Sequence, residues 1–132
     1  MLKDTNAVSG FAVDDLPRAK DFYGTTLGLD VADASLGVEG TEVPAGLEIR
    51  LGPGTRLLVY PKPDHTPATF TILTFMVEDI ERAVDELSAR GVRFEHYDTP
   101  KTDAKGIHRR PEVQPVAWFQ DPAGNILSII QE

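Results

Sequence analysis

Chemistry in this chain has to come from a short set of side chains. There are three histidines, His65, His96 and His108, and no cysteine. The absence of thiols removes disulfides, thiolate metal sites and cysteine nucleophiles together. The histidines share no ligand-like spacing, neither i, i+2 on a strand nor i, i+4 on a helix. No Gly-x-Ser-x-Gly elbow, phosphate-cradling glycine loop or dinucleotide fingerprint is present. Tyr60, His96 and His108 are left as acid–base groups whose geometry the fold would have to supply. The stretch Thr99–Pro115 gathers Lys101, Lys105, His108, Arg109 and Arg110 in a chain of net charge −8. Such a cluster fits an electrostatic clamp on an anionic ligand group. A solvated flap without periodic structure is the other reading of the same residues.

The elements that must position these groups follow from a repeat. Phe11-Ala12-Val13-Asp14-Asp15-Leu16-Pro17-Arg18-Ala19-Lys20-Asp21 aligns with Phe75-Met76-Val77-Glu78-Asp79-Ile80-Glu81-Arg82-Ala83-Val84-Asp85 at an offset of 64, with six of eleven positions identical. Self-similarity at an offset of about half the chain implies one supersecondary unit used twice. Each copy reads as a strand, Ala7–Val13 and Thr69–Val77, rich in β-branched and aromatic residues. Asp15 and Asp79 then stand where a helix N-cap is needed, and Pro17 falls in a first turn, where its missing N–H costs little. Leu16, Ala19, Phe22 and Tyr23 form one amphipathic stripe; Ile80, Ala83, Val84 and Leu87 form the other. Gly28 and Gly91 close the helices. Further strands are expected at Leu29–Ala32, Leu47–Leu51 and Arg56–Tyr60, and at Val92–His96, Val116–Phe119 and Ile126–Gln131. The proline-rich connector Pro61-Lys62-Pro63-Asp64-His65-Thr66-Pro67 is stiff and extended. A module of this size is marginal alone, so residues 1–132 are expected to form a single domain, module one about 6–62 and module two about 68–132.

Bulk properties agree. Hydrophobic residues at 41% and charged residues at 26% suit a globular protein of 132 residues. With 21 acidic against 13 basic residues, nucleic acid is a poor partner. The polar opening Met1-Leu2-Lys3-Asp4-Thr5-Asn6 is no signal peptide, and no apolar run approaches the ~20 residues of a membrane span. A cytoplasmic location is expected.

Two strings carry a family likeness. Val13-Asp14-Asp15-Leu16-Pro17-Arg18-Ala19-Lys20-Asp21-Phe22-Tyr23 with Leu27-Gly28-Leu29 resembles the opening signature of the vicinal oxygen chelate superfamily, which includes glyoxalases, bleomycin resistance proteins and extradiol dioxygenases. Phe119-Gln120-Asp121-Pro122-Ala123-Gly124-Asn125 resembles its closing strand-turn-strand. The resemblance implies an α+β fold of two tandem βαβββ modules forming a curled, cup-shaped mixed sheet with helices outside, and frequent homodimerisation. It also implies that enzymes of the family hold a divalent metal on His, Glu or Gln from the first and last strands of each module. Counted from the matched motifs, those positions fall on Val8, on Leu57 or Leu58, on Ile72 and on Ser128. None is a usual ligand, so no metal or other cofactor is expected.

Alternation assigns the rest of the cup lining. Gly10, Ala12, Thr74 and Met76 share parity with Val8 and Ile72; Ile126 and Ile130 share it with Ser128. The resemblance implies that Phe119, before the Asp-Pro turn, packs on the helix, which turns Trp118 and Val116 to the cup; Tyr60 and Arg56 join them if Leu58 faces inward. The loop Asp33–Gly46, with Glu39 and Glu42, is placed on the opposite rim or in solvent. The leading expectation is a binding protein that holds an apolar or aromatic small molecule through Val8, Tyr60, Ile72, Thr74, Trp118 and Ser128, with His108 and Arg109 at the mouth. The alternatives are a metal-dependent lyase, isomerase or dioxygenase with unusual ligands, a metal-free enzyme, and a dimeric scaffold.

Overall fold

A computed structural model of the chain describes residues 1–35 and 45–132. It divides into two compact units, Met1–His65 and Thr66–Glu132. A 3-10 turn, Leu2–Asp4, precedes the first unit's elements: β1 (Ser9–Val13), α1 (Leu16–Asp21) running into a π-turn (Phe22–Thr26), β2 (Asp30–Ser35), β3 (Ala45–Leu51) and β4 (Thr55–Pro61). The second unit has β5 (Thr71–Val77), α2 (Ile80–Ala89), β6 (Ile107–Arg110), β7 (Val113–Gln120) and β8 (Ile126–Gln131). The sheet orders are β1-β4-β3-β2 and β5-β8-β7-β6. The first strand of each module runs parallel to the last, and the other neighbours are antiparallel. The α+β class and the two tandem βαβββ modules are those the resemblance implies.

Capping chemistry starts both helices. Asp15 accepts from the Arg18 backbone N–H and Asp79 from that of Arg82, each at 3.1 Å. These bonds satisfy an orphan donor of the first turn. Gly91 has φ +97° and Gly28 φ +72°, the left-handed conformation expected just beyond each helix. The first helix widens before that glycine: the Leu27 N–H bonds the Phe22 carbonyl at 2.8 Å, a five-residue step.

Each sheet is covered by its helix on one face. In the first unit Val13, Ala19, Tyr23, Leu47, Ile49, Leu57 and Val59 are buried; in the second, Ile80, Val84, Val92, Ile107, Ala117, Phe119, Leu127 and Ile129. Each large aliphatic or aromatic side chain so buried contributes roughly 1.5–3 kcal/mol. The alternation that sends these residues inward leaves the intervening ones on the opposite, open face of each sheet.

Three sequence expectations are corrected. Val92–His96 does not form a strand; its pairing is an isolated bridge, Phe94 to Phe119. The missing strand is β6, inside the segment Thr99–Pro115 read as loop, and β7 starts at Val113 rather than Val116. A turn builds β6: Asp103 accepts from the N–H groups of Lys105 and Ile107, both at 2.9 Å, and Gly106 takes φ +85°. The third concerns Asp33–Gly46. Asp33–Ser35 belong to β2 and Ala45–Gly46 to β3, while Glu39 and Glu42 lie outside the described residues.

Candidate functional site

The open face of the second module carries most of the expected site residues. Across the sheet Thr74 pairs with Ser128, and Ser128 with Trp118. The next rung runs Met76, Ile130, Val116, His108. The hydroxyls of Thr74 and Ser128 are hydrogen-bonded at 2.7 Å, and Ser128 is 3% exposed. Ile72 is the extra residue of a bulge between Thr71 and Leu73, so Thr71 rather than Ile72 stands in register with Ile126.

Trp118 is the centre of an aromatic group. The Tyr97 ring lies 5.6 Å from it at 69°, an edge-to-face arrangement, and the His108 ring 6.2 Å away at 37°. A small hairpin holds Tyr97: its N–H donates to Thr102 Oγ1 at 2.9 Å, and the Thr102 N–H donates to its carbonyl at 3.1 Å. Burial, and then the charge of Glu95, push the Tyr97 phenol up from its ordinary value, so at neutral pH it is a hydroxyl donor. His108 Nδ1 is 2.7 Å from the Lys101 carbonyl oxygen. A carbonyl only accepts, so Nδ1 is the donor of this bond.

Against Trp118 lies an open cavity of about 240 Å³, lined chiefly by Phe70, Thr71, Tyr97, Thr99, Pro100 and Trp118. Phe70 is 67% exposed. Sequence reasoning missed Tyr97, Phe70 and Thr99. Tyr97 adjoins a segment read as a plain strand, and the hairpin that follows this segment holds the residue whose ring meets Trp118.

Arg109 is engaged elsewhere. It reaches Glu81 of α2 at 3.4 Å and Asp103 at 3.6 Å, and Lys105 pairs with Asp85 at 2.9 Å. Two of the five basic groups of the expected anion clamp are therefore committed to carboxylates. Loss of water around Asp103 would raise its carboxyl, but the N–H groups of Ile107 and Lys105 and the Arg109 guanidinium outweigh this and lower it.

In the first module Val8 precedes β1 and is 49% exposed. The register settles the last-strand position: Gly10 pairs with Leu58 as Thr74 pairs with Ser128, and Leu57 is a buried core residue. Tyr60, 42% exposed, shares the open-face parity of Leu58 and Arg56. Glu48 and Arg50 on β3, which sequence reasoning left unassigned, stand opposite Leu58 and Arg56.

The donor set does not suit the divalent metal that the fold implies. Val8, Leu58 and Ile72 offer no donor atom, and the Ser128 hydroxyl is tied to Thr74. No group of three metal-competent side chains gathers among the described residues. These residues do not fit the family's metal.

The chain belongs to the Glyoxalase/Bleomycin resistance protein/Dioxygenase superfamily, whose profile matches residues 6–129. Among solved structures it is similar to TnmS3, an antibiotic binding protein from Streptomyces sp. CB03234, at 26% identity over 97% of each chain with a TM-score of 0.67. A second similar structure is a glyoxalase/bleomycin resistance protein from the same source, at 26% identity over 95% of this chain and 100% of that one, TM-score 0.62. A lactoylglutathione lyase from Agrobacterium tumefaciens shares the fold at 22% identity over 97% of this chain and 93% of that one, TM-score 0.60. No curated protein matches the chain. Binding proteins and enzymes thus share this architecture, and function has to be argued from the site.

Proposed function

We propose that this member of the superfamily is a small-molecule-binding protein that takes an apolar or aromatic ligand without a metal. The observation that carries the reading is Trp118, set among the rings of Tyr97 and His108 with an open cavity against it. Aromatic walls suit a flat ring, and a few hydroxyls fix its orientation. Thr71, Thr99 and the Tyr97 phenol provide those hydroxyls. About 240 Å³ is less than the ~300–1,000 Å³ of a whole drug-sized site. The cavity therefore takes one ring system of the ligand. Likeness to an antibiotic binding protein supports a binding role, and a donor set at the family's ligand positions that does not suit its metal disfavours the metal-dependent lyase, isomerase and dioxygenase readings. In this reading residues 1–132 act as one cytoplasmic domain and assemble as a homodimer.

The test is fluorescence titration with 1,4-naphthoquinone, a neutral aromatic quencher. Trp118 is the single tryptophan and the chain has no cysteine to react with the quinone. Saturable quenching is expected, weakened roughly 2- to 10-fold by Tyr97→Ala through loss of an aromatic contact of ~0.5–1.5 kcal/mol. Non-saturating quenching that is unchanged in Tyr97→Ala would overturn the reading.

A further inference from the structure

We propose that the open face of the first module is selective for an aromatic carboxylate, with Arg50 and Arg56 clamping the carboxylate group. The site starts from an arrangement that is unfavourable without a counter-charge. Arg50 and Arg56 are paired directly across β3 and β4, and like charges so placed repel. Glu48, two residues from Arg50 on the same face, lies between them. It accepts from Arg56 Nε in a short contact and from Arg50 Nη2 at 3.4 Å. Desolvation of Glu48, whose side chain is 14% exposed, would raise its carboxyl. The hydrogen bond and charge of Arg56, followed by those of Arg50, outweigh this and keep it below the ordinary value. The triad therefore has one negative and two positive charges. Asp30 stands opposite Arg50 on β2 but forms no ion pair with it among the described residues.

Donor capacity is left over. Each guanidinium is a planar fork of N–H groups, and each gives one donor to Glu48. Their side chains are 57% and 56% exposed, so the remaining donors face outward. A planar carboxylate would match the fork geometry of those donors.

The ring of the ligand has a surface beside the clamp. Leu58 and Tyr60 continue along β4 from Arg56 on the same face, and Gly10 lies against Leu58. A Cβ on Gly10 would come within 2.9 Å of the Leu58 carbonyl oxygen, so glycine keeps this floor low. An aromatic acid can thus lay its ring on Leu58 and Tyr60 while its carboxylate reaches the arginines. Every residue of this site belongs to the first module.

The experiment compares 2-naphthoate with neutral 2-naphthalenemethanol on the full chain, using NMR. The arginine Nε–Hε resonances and the backbone amides of residues 48–60 report the site. Naphthoate should bind at least ~10-fold tighter than the alcohol, with the largest shifts at Arg50 and Arg56. Arg56→Gln and Arg50→Gln should each abolish most of that preference. Glu48→Gln separates clamp from scaffold: removing the competing carboxylate should tighten naphthoate several-fold, although it loosens the triad. Equal affinity for the two probes on the unaltered chain, which requires no variant to fold, would overturn the proposal. So would a preference that survives both arginine substitutions, or naphthoate binding that Glu48→Gln weakens.

Discussion

Replacing Asp121 by alanine should be one of the most damaging single changes outside the apolar core. Asp121 is 5% exposed and sits in the turn that returns β7 to β8. Its Oδ1 accepts from the N–H groups of Ala123 and Asn125, and its Oδ2 from Asn125 Nδ2, all at 2.9 Å. Hydrogen bonds to an ionised acceptor are worth ~1.5–3 kcal/mol each, but they do not add when the freed donors relax together. Asn125, 2% exposed, has no easy route to water, whereas Ala123 is half-buried. The expected loss for Asp121→Ala is therefore ~3–5 kcal/mol, or ~10–20 °C in Tm for a chain of this size. Asp121→Asn keeps one carbonyl oxygen for the two backbone donors but sets its amide against that of Asn125, and should lose ~1–3 kcal/mol. Urea unfolding followed by Trp118 fluorescence reads the second module directly. A loss below ~1 kcal/mol for the alanine variant, the range of a surface substitution, would refute the argument. It would mean that the turn is shaped by its backbone alone.

Two glycines give a matched comparison. Gly106→Ala should cost ~2–4 kcal/mol, since a Cβ at φ +85° would meet the Glu95 oxygen and the Phe94 Cβ, both at 2.9 Å. Gly91→Ala should cost ~1–2 kcal/mol from its left-handed φ of +97° alone, with nothing within 4 Å; equal losses in denaturant titration would contradict this. For Asp103 the folded carboxyl is lowered, so its contribution is full above the unfolded value and fades as pH falls through the folded one. The stability gap between the unaltered chain and Asp103→Asn should accordingly shrink on acidification from neutrality. A gap that is constant or widens toward low pH, measured by urea unfolding at several pH values, would contradict the sign.

The contrast between what the sequence revealed and what it concealed follows the range of the interactions involved. Both N-caps, both helix-closing glycines and the equivalence of Gly10 with Thr74 were legible, because each depends on neighbours close in sequence or on the repeat itself. Strand β6 was not. Ile107-His108-Arg109-Arg110 has one apolar residue and no alternation to identify it, and it is a strand because β7 pairs with it and Asp103 turns the chain into it. The bulge at Ile72 shows the same limit at finer scale: parity counting assumes an unbroken ladder, and one unpaired residue changes which side chain stands opposite Ile126. The arginine pair lies between these cases. Alternation in Leu47-Glu48-Ile49-Arg50-Leu51 already puts Glu48 and Arg50 on the face away from the core. What brings Arg56 opposite Arg50 is the register, in which Leu51 pairs with Thr55 around Gly52-Pro53-Gly54, with Gly52 at φ +52°. A one-residue slip of that register would turn Arg56 to the core face and Leu57 to the open one, and the burial of Leu57 and Val59 opposes it. The charge triad is thus a property of strand register as much as of residue type.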